Sequence, residues 1–464
     1  MTFFYYSFLG GRMRKIPLYV ILLLIPVSVL CQVPDTLWTS LIVDGWESGG
    51  FCVRQTSDGG FILSGNNKQN GSLMCDAFLA KTDQNGNVLW TKNYGGPAYD
   101  DANSVKQTAD GGFISTGSNL TFYYSMIYTI RIDANGDSLW TRLFGETGNH
   151  YGGSDVVNTI DSCYTITGNC TDGANESRLI LLKYSDSGDL LWSQIYREFW
   201  GKGISLVQLE DGCYVIAGQS DHNDGDVLLM KTDENGEIIW MRNIGGPSVD
   251  FASSVKQTHD GGFIICGFYG TYSLELWLIR TDSEGDTLWT RFYGGAQNDW
   301  GNEVDQTLDG GYVITGVSYS YNVIGIPDIY IVRTDNIGNT LWTTTYNGGG
   351  YDYGESVQQT SDGGFIVAGC TELPTDYYRA ILILYEPDYT PIVDDLTIDI
   401  SGDDVILNWT DVPQYFFQEY RIYRSDIPYF EVTGLTPLSV QTENSYLDPG
   451  AAGDRYFYRV TVVY

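Results

Sequence analysis

Short apolar runs recur along the chain at a steady spacing, each broken by a polar turn that usually carries glycine. The stretch QQTSDGGFIVAG, Gln358 to Gly369, shows the pattern whole. Versions of it occur seven times. Their anchor aspartates are Asp58, Asp110, Asp161, Asp211, Asp260, Asp309 and Asp362, about fifty residues apart. An Asp-Gly or Gly-Gly pair between apolar runs predicts a hairpin, because glycine supplies positive φ. Five residues before the Asp stands an aliphatic: Val53, Val105, Val156, Leu206, Val255, Val304, Val357. Three before it stands an amide: Gln55, Gln107, Asn158, Gln208, Gln257, Gln306, Gln359. After the turn an apolar run begins at an aromatic (Phe61, Phe113, Tyr164, Tyr214, Phe263, Tyr312, Phe365) and ends at a glycine (Gly65, Gly117, Gly168, Gly218, Gly267, Gly316, Gly369). Such a run predicts a central strand buried on both faces.

Two further signatures complete each period. One is a strand ending in T-D-x-x-G, as in LLMKTDENGEIIW from Leu228 to Trp240; its Asp-x-x-Gly piece predicts a second tight hairpin. The other is the Leu-Trp strand that follows, with Trp38, Trp90, Trp140, Trp192, Trp240, Trp289 and Trp342. Each period is therefore four short antiparallel strands, the pattern of a propeller blade. A blade cannot bury both faces alone, so the repeats should form a closed ring. Trp38 precedes the first DGG turn with no partner strands ahead of it, and the seventh repeat runs into EPDYTP without a Leu-Trp strand. The segment Thr36 to Val43 should complete the seventh blade and remove the exposed edges. The fold expected is all-β: a seven-bladed β-propeller closed by the N-terminal strand, over residues 32–386. The tryptophans should wedge between blades, and the amides should tie each inner strand to a neighbouring blade's backbone.

The T-D-x-x-G-x-x-x-W hairpin resembles the tryptophan-docking repeat of quinoprotein dehydrogenase propellers, with a turn one residue shorter. The QTSDGGFIVAG pattern resembles seven-bladed repeat proteins secreted by bacteria, often with C-terminal fibronectin-type modules. The resemblance covers roughly residues 36–385 and implies a fold more than a function. No quinone-cofactor ligands can be matched. After a linker at 387–395, the stretches ILNW, YRIYRS, SYLDPG and YFYRVTVV alternate as strands do, and predict a small β-sandwich over 396–464. These segments resemble a fibronectin type III domain, with Trp409 at the core position and Tyr456 or Tyr458 at the tyrosine corner, one strand short at its end.

At the N-terminus, residues 1–12 read as an upstream extension, with Met13 as the start. Arg14 and Lys15 precede the apolar run Ile16 to Leu30, too short to span a membrane comfortably, so residues 1–31 are expected to be a secretion signal. A lipid anchor on Cys31 is the competing reading; Leu30 before it is larger than that signal prefers. The chain is thus expected to be secreted or at the cell surface, monomeric, with no membrane span after cleavage. Its 58 acidic residues against 25 basic give a net charge of −33, which excludes nucleic acid as a partner. The seven cysteines after Cys31 are odd in number and irregular in spacing, which fits small core residues better than a disulfide framework or a zinc site. Cys163 and Cys213 occupy matching repeat positions and could pair.

Residues shared by all seven repeats are architecture, so function is sought where the repeat breaks. Two sets of loops, after the Leu-Trp strand and after the central strand, should share one face of the ring. Asp100, Asp250, Asp299 and Asp352 stand ten residues before four of the anchor aspartates. They could ring the channel mouth and bind a cation, calcium first, or simply cap loop amides. The same loops carry Tyr123, Tyr124, Trp200, Tyr272, Trp277, Trp300, Tyr319, Tyr321, Tyr351 and Tyr353. Aromatic platforms beside acidic acceptors suit sugars; loops packing on one another is the plainer alternative. The chain has only His150, His222 and His259, and none sits in a recognisable nucleophile motif. Carboxylate pairs for glycoside hydrolysis could be drawn from Asp100, Asp299 and Asp352. The leading expectation is a non-enzymatic binding or adhesion protein recognising extracellular polysaccharide or protein. A polysaccharide hydrolase or lyase and a structural spacer are the alternatives.

Overall fold

In a computed structural model the residues described are 3–9, 12–18, 33–388 and 397–463, apart from 43–44, 172–175, 221–224, 271–272, 323–324, 374–376, 402–403, 409–418, 426–436, 442, 444 and 449–456. Two units separate, 1–32 and 33–464. In the first, Phe3–Leu9 pairs antiparallel with Arg12–Leu18; most of the apolar run Ile16 to Leu30 lies outside the described residues, as does Cys31. Among the described residues no helix is long and apolar enough to cross a membrane.

The second unit is all-β and consists largely of blade-like four-stranded antiparallel sheets. The fifth repeat is representative: Asp250–Gln257, Phe263–Tyr269, Glu275–Thr281 and Thr287–Tyr293 pair in chain order. The first, fourth and sixth repeats do the same. The second and third are joined into one sheet by a single pairing, Ser125 with His150. The seventh consists of Asp352–Gln359, Phe365–Leu373 and Tyr377–Tyr385, and its outer strand is Thr36–Ile42 from the start of the chain.

The DGG hairpins form for the reason their composition suggests. Gly59, Gly111, Gly212, Gly261, Gly310 and Gly363 sit at φ between 81° and 89°. In the third repeat the turn reads Asp-Ser-Cys, and Ser162 takes φ 60°, the only positive φ on a non-glycine among the described residues. The anchor Asp accepts from the turn's own backbone and from a base on the third strand of its sheet. The pairs are Asp58 with Lys81, Asp110 with Arg131, Asp161 with Lys183, Asp211 with Lys231, Asp260 with Arg280 and Asp309 with Arg333. Burial alone would raise the Asp58 carboxyl, but bonds from Thr56, Lys81 and Gly60 outweigh it and bring it to about 2. At Asp110 the Thr108 hydroxyl leads, and Arg131 helps hold it at about 2.

Neighbouring sheets are joined by three repeated contacts. Each tryptophan packs on the central-strand aromatic of the next repeat, from Trp90 on Phe113 at 6.1 Å to Trp342 on Phe365 at 5.9 Å. Trp38 does the same to Phe61 at 5.8 Å, across the ends of the chain. Glutamines of the amide series accept from the turn of the preceding repeat: Ser57 N–H donates to Gln107 Oε1 at 2.8 Å and Leu308 N–H to Gln359 Oε1 at 2.8 Å, whereas Asn158 Nδ2 donates to Gln107 O at 2.7 Å. Ser361 N–H donates to Gln55 Oε1 at 2.7 Å, last repeat to first. Deeper in, Asp155 accepts from Leu206 N–H, Ser205 from Val255 N–H, Glu303 from Val357 N–H and Ser356 from Val53 N–H. Beyond residue 396 two three-stranded antiparallel sheets follow. One holds Thr397–Ser401, Asp404–Asn408 and Ser445–Asp448; the other holds Ser439–Gln441, Glu419–Ser425 and Phe457–Val463. Trp409 and Tyr456 lie outside the described residues, and the side chain of Tyr458 is not described. All seven described cysteines are free thiols, Cys163 and Cys213 included.

The tryptophan contacts and the turn carboxylates can each be tested. Trp342 is 4% exposed and its indole N–H donates to Asp388 at 2.9 Å. Trp342→Ala should cost about 3–5 kcal/mol, and Trp240→Ala, at a half-exposed indole, distinctly less; equal melting temperatures for the two variants would contradict the docking role. The anchor carboxyls at about 2 lie below the ordinary value near 4, so the stability they give is present above pH 4 and lost as pH falls toward 2. Thermal melts should drop across that window, and Asp110→Asn should lose part of the drop. The aspartates are mostly solvent-exposed, so each pair contributes little alone.

Candidate functional site

The inner strand of every repeat is irregular at one place. The register shifts at Gly50/Cys52, Gly153/Asp155, Gly203/Ser205, Ala252/Ser254, Gly301/Glu303 and Gly354/Ser356. In the second repeat the inner strand breaks there into Tyr99–Asp100 and Ser104–Gln107. A bulge leaves one residue unpaired and re-aims it. The residues so placed are Phe51, Asn103, Ser154, Ile204, Ser253, Asn302 and Glu355. All seven are half-buried and all line one cavity of about 390 Å³. Arg54, Asp155, Glu303 and Phe251 also line it.

The next residue along several of the strands is spent on structure, Asp155 and Glu303 most fully. Asp155 accepts from Ser104 Oγ at 2.6 Å and from Leu206 N–H at 3.0 Å. Glu303 takes both terminal nitrogens of Arg54, at 2.6 and 3.1 Å, with Lys256 at 2.9 Å and Ser356 Oγ at 2.5 Å. Burial opposes ionisation of Glu303, yet Arg54 and Lys256 hold its carboxyl far below the usual range. Lys106 is less well served: burial and the nearby Arg54 lower its pKa, and Asp155 is 4.0 Å away. Glu355 differs again. Its Oε2 accepts from Asn302 Nδ2 at 3.1 Å, and burial pushes the carboxyl up to about 7. The side chain is half-buried, and its partial exposure works against that shift.

Beside the cavity three consecutive repeats carry an aromatic two residues before the bulge: Phe251, Trp300 and Tyr353. Each pairs with a second ring of its own repeat: Phe268 on the central strand, Tyr319 just after it, and Tyr378 on the third strand. Phe251 stacks on Phe268 at 5.4 Å and 10°, Trp300 lies 5.9 Å from Tyr319, and Tyr353 lies 6.3 Å from Tyr378. Tyr319 and Tyr353 also interact across the two repeats, which helps raise the Tyr353 hydroxyl after burial has done most of it. All six rings are half-buried.

The structure therefore brings Trp300, Tyr319 and Tyr353 together and scatters the other expected aromatics. Tyr123 is 82% exposed in the turn after Leu120, and Tyr124 lies half-buried beside it. Trp200 sits under Arg178 at 5.5 Å. Tyr321 lies tilted against Tyr330 at 5.2 Å, and Tyr351 is exposed with its N–H on Glu372. Trp277 is not a loop platform: it belongs to the strand Glu275–Thr281, is 5% exposed within the core, and stacks on the exposed ring of Phe292. Tyr272 and His222 lie outside the described residues. His150 is exposed, as is His259, whose backbone N–H donates to Gln306.

The four aspartates do not ring the mouth. Asp100, Asp250, Asp299 and Asp352 are fully buried, and each caps its own loop. Their Oδ2 atoms accept from Gly96, Gly246, Gly295 and Gly348 N–H respectively, at 2.6 to 3.0 Å. Burial raises the carboxyls of Asp100, Asp250 and Asp352. Asp100, Asp299 and Asp352 are accordingly closed to a glycosidic bond. Among the described residues no group of three His, Cys, Asp or Glu side chains is placed to hold a metal ion.

No family model matches the chain, and no curated protein matches it. Solved structures similar to it include a protein of unknown function from Dyadobacter fermentans. That one is 10% identical, with a TM-score of 0.46 over 76% of this chain and 99% of that one. The periplasmic gluconolactonase of Pseudomonas aeruginosa is 11% identical, with a TM-score of 0.45 over 65% and 87%. The extracellular domain of a putative hybrid two-component system of B. thetaiotaomicron is 10% identical, with a TM-score of 0.43 over 91% and 55%. Likeness at this level says nothing of function.

Glu355 supplies a prediction for the site. A carboxyl raised to about 7 opposes folding increasingly as pH rises from its ordinary value near 4.5 through 7. Glu355→Gln should therefore stabilise the protein by about 1–2 kcal/mol at pH 8 and leave it unchanged at pH 4. Calorimetry at the two pH values checks the sign; a loss of stability at pH 8 would mean that the carboxylate is better served than its surroundings indicate.

Proposed function

We propose that the seven repeats close a seven-bladed propeller, that the chain is secreted or held at the cell surface, and that the propeller binds extracellular polysaccharide without turning it over. Secretion rests on the basic-then-apolar segment after Met13. The sheets after residue 396 serve as a fibronectin type III-like spacer. The observation that carries the binding reading is the arc Phe251/Phe268, Trp300/Tyr319 and Tyr353/Tyr378. Six half-buried rings over three adjacent repeats offer flat apolar surface, and Ser253, Asn302 and Glu355 stand two residues from its inner members. Rings with polar groups beside them match the apolar faces and hydroxyl edges of sugars.

Hydrolysis would need a second carboxylate free to pair with Glu355. Asp155 and Glu303 line the same cavity, but both are consumed by backbone, hydroxyl and cationic donors. The geometry thus favours holding a ligand over cleaving it.

Affinity electrophoresis through gels containing soluble polysaccharides tests this. The wild type should be retarded by at least one of them, and Trp300→Ala and Tyr353→Ala should each weaken retention about tenfold, the loss of one stacking contact. Release of reducing ends during the run would favour the hydrolase. Unimpeded migration in every gel, with tight capture of an extracellular protein, would favour a protein ligand.

A further inference from the structure

The aromatic arc suits many glycans; the cavity beside it is more selective. Asn103 and Asn302 donate their amide hydrogens to the next repeat, to Gly153 O at 2.9 Å and Gly354 O at 2.8 Å. Their Oδ1 atoms are left to serve as acceptors. Glu355 adds a carboxylate, and Ser154 and Ser253 add hydroxyls. Phe51, Ile204 and Phe251 supply the apolar share. Arg54, the one cation lining the cavity among the described residues, is gripped by both oxygens of Glu303. The cavity therefore presents acceptors and apolar surface, with no uncommitted positive charge, inside a chain of net charge −33. A uronate or sulfated sugar would meet repulsion and find the one cation of the lining already paired. A neutral sugar has donors to give and a ring face to bury.

The walls add a constraint on how the ligand enters. All seven repeats contribute to the lining, so a polymer cannot lie across the cavity and must enter it by an end. The volume of about 390 Å³ suits a group on the order of one or two sugar units.

We propose that the cavity seats the terminal unit of a neutral glycan, its ring face against Phe51 and Phe251 and its hydroxyls donating to Asn103, Asn302 and Glu355, while the following units pass out over Trp300 and Tyr353. This rests on the glycan-binding reading above and names its ligand class and polarity.

Isothermal titration of the full chain tests it, using gluco-, manno- and galacto-oligosaccharides of increasing length and oligogalacturonates of matching length. At least one neutral series should bind, with oligogalacturonates about tenfold weaker or more at physiological salt. Phe251→Ala and Asn302→Ala should weaken the shortest ligand that binds by about tenfold, the loss of one contact. Trp300→Ala should weaken only the longer ones. Ile160→Ser, at an exposed position in the Asp-Ser-Cys turn beyond the end of its inner strand, should change nothing. Melting curves establish that the variants are folded, and Asn302→Ala carries the test should Phe251→Ala unfold. Full affinity in both cavity variants, with loss in Trp300→Ala, overturns the seating while leaving glycan binding intact. Equal or tighter binding of oligogalacturonates overturns the neutral class. A wild type that binds none of these oligosaccharides sinks glycan binding and the cavity proposal together.

Discussion

Every central strand has a glycine at its middle because the inner strand arches across it. A Cβ on Gly267 would sit 1.8 Å from Phe251 O, on Gly316 1.9 Å from Trp300 O, and on Gly65 1.8 Å from Gly49 O. No side chain fits there. The arch is the bulge, and the bulge sends one residue per repeat into the shared cavity. The glycine does not mark a turn, as glycine does in the DGG hairpins. It permits a close backbone approach, and the cavity lining depends on that approach being made seven times.

Around that constraint the repeats are held by contacts that return on themselves. The tryptophan of one repeat packs on the aromatic of the next, the amide of one accepts from the turn of the last, and both series pass between the seventh repeat and the first. The final repeat takes its outer strand from Thr36–Ile42, where the others take it from a hairpin of their own. Asp388 stands near the same place: its carboxylate accepts from Arg333 Nε at 2.9 Å and from the Trp342 indole, where Asp186 pairs its carboxylate with Arg131 at 3.7 Å and takes the Trp140 indole on its backbone carbonyl. The segment EPDYTP, which reads as a linker by composition, begins as part of the repeat array.

Much of this is legible in the residue pattern itself. Period, hairpins, strand order, the tryptophan and amide contacts and the pairing of Thr36–Ile42 all follow from residue types at fixed offsets, because local turn chemistry and alternating burial decide them. The site is legible only in part, for two physical reasons. Aromatics in a loop cannot be told from aromatics at the head of a strand by spacing, so Trp277 reads as a platform when strand alternation buries it. The bulge is hidden because the residues flanking it, Gly50 and Cys52 or Gly301 and Glu303, look like a continuous strand. A signal is nonetheless present. Two residues before each repeated aliphatic the chain reads Phe, Asn, Ser, Ile, Ser, Asn, Glu, directly after a column that is always glycine or alanine. A variable position beside that small-residue column is the mark of the bulge.

The charge balance joins the fold to the site. Six of the 25 basic residues are committed to the DGG turns, and Arg54 and Lys256 share Glu303 between repeats. The bases are thus drawn into the architecture, and the acids are left to dominate the surface. A negative field of that kind would suit a calcium site only where carboxylates converge, and here Asp100, Asp250, Asp299 and Asp352 turn inward to hold loop amides instead. What remains is a surface that repels acidic polymers and polyanions at long range. On the proposed glycan-binding reading, selectivity against charge would need no dedicated residue at the mouth, and Phe51, Asn103, Asn302 and Glu355 would discriminate by shape and hydrogen bonding.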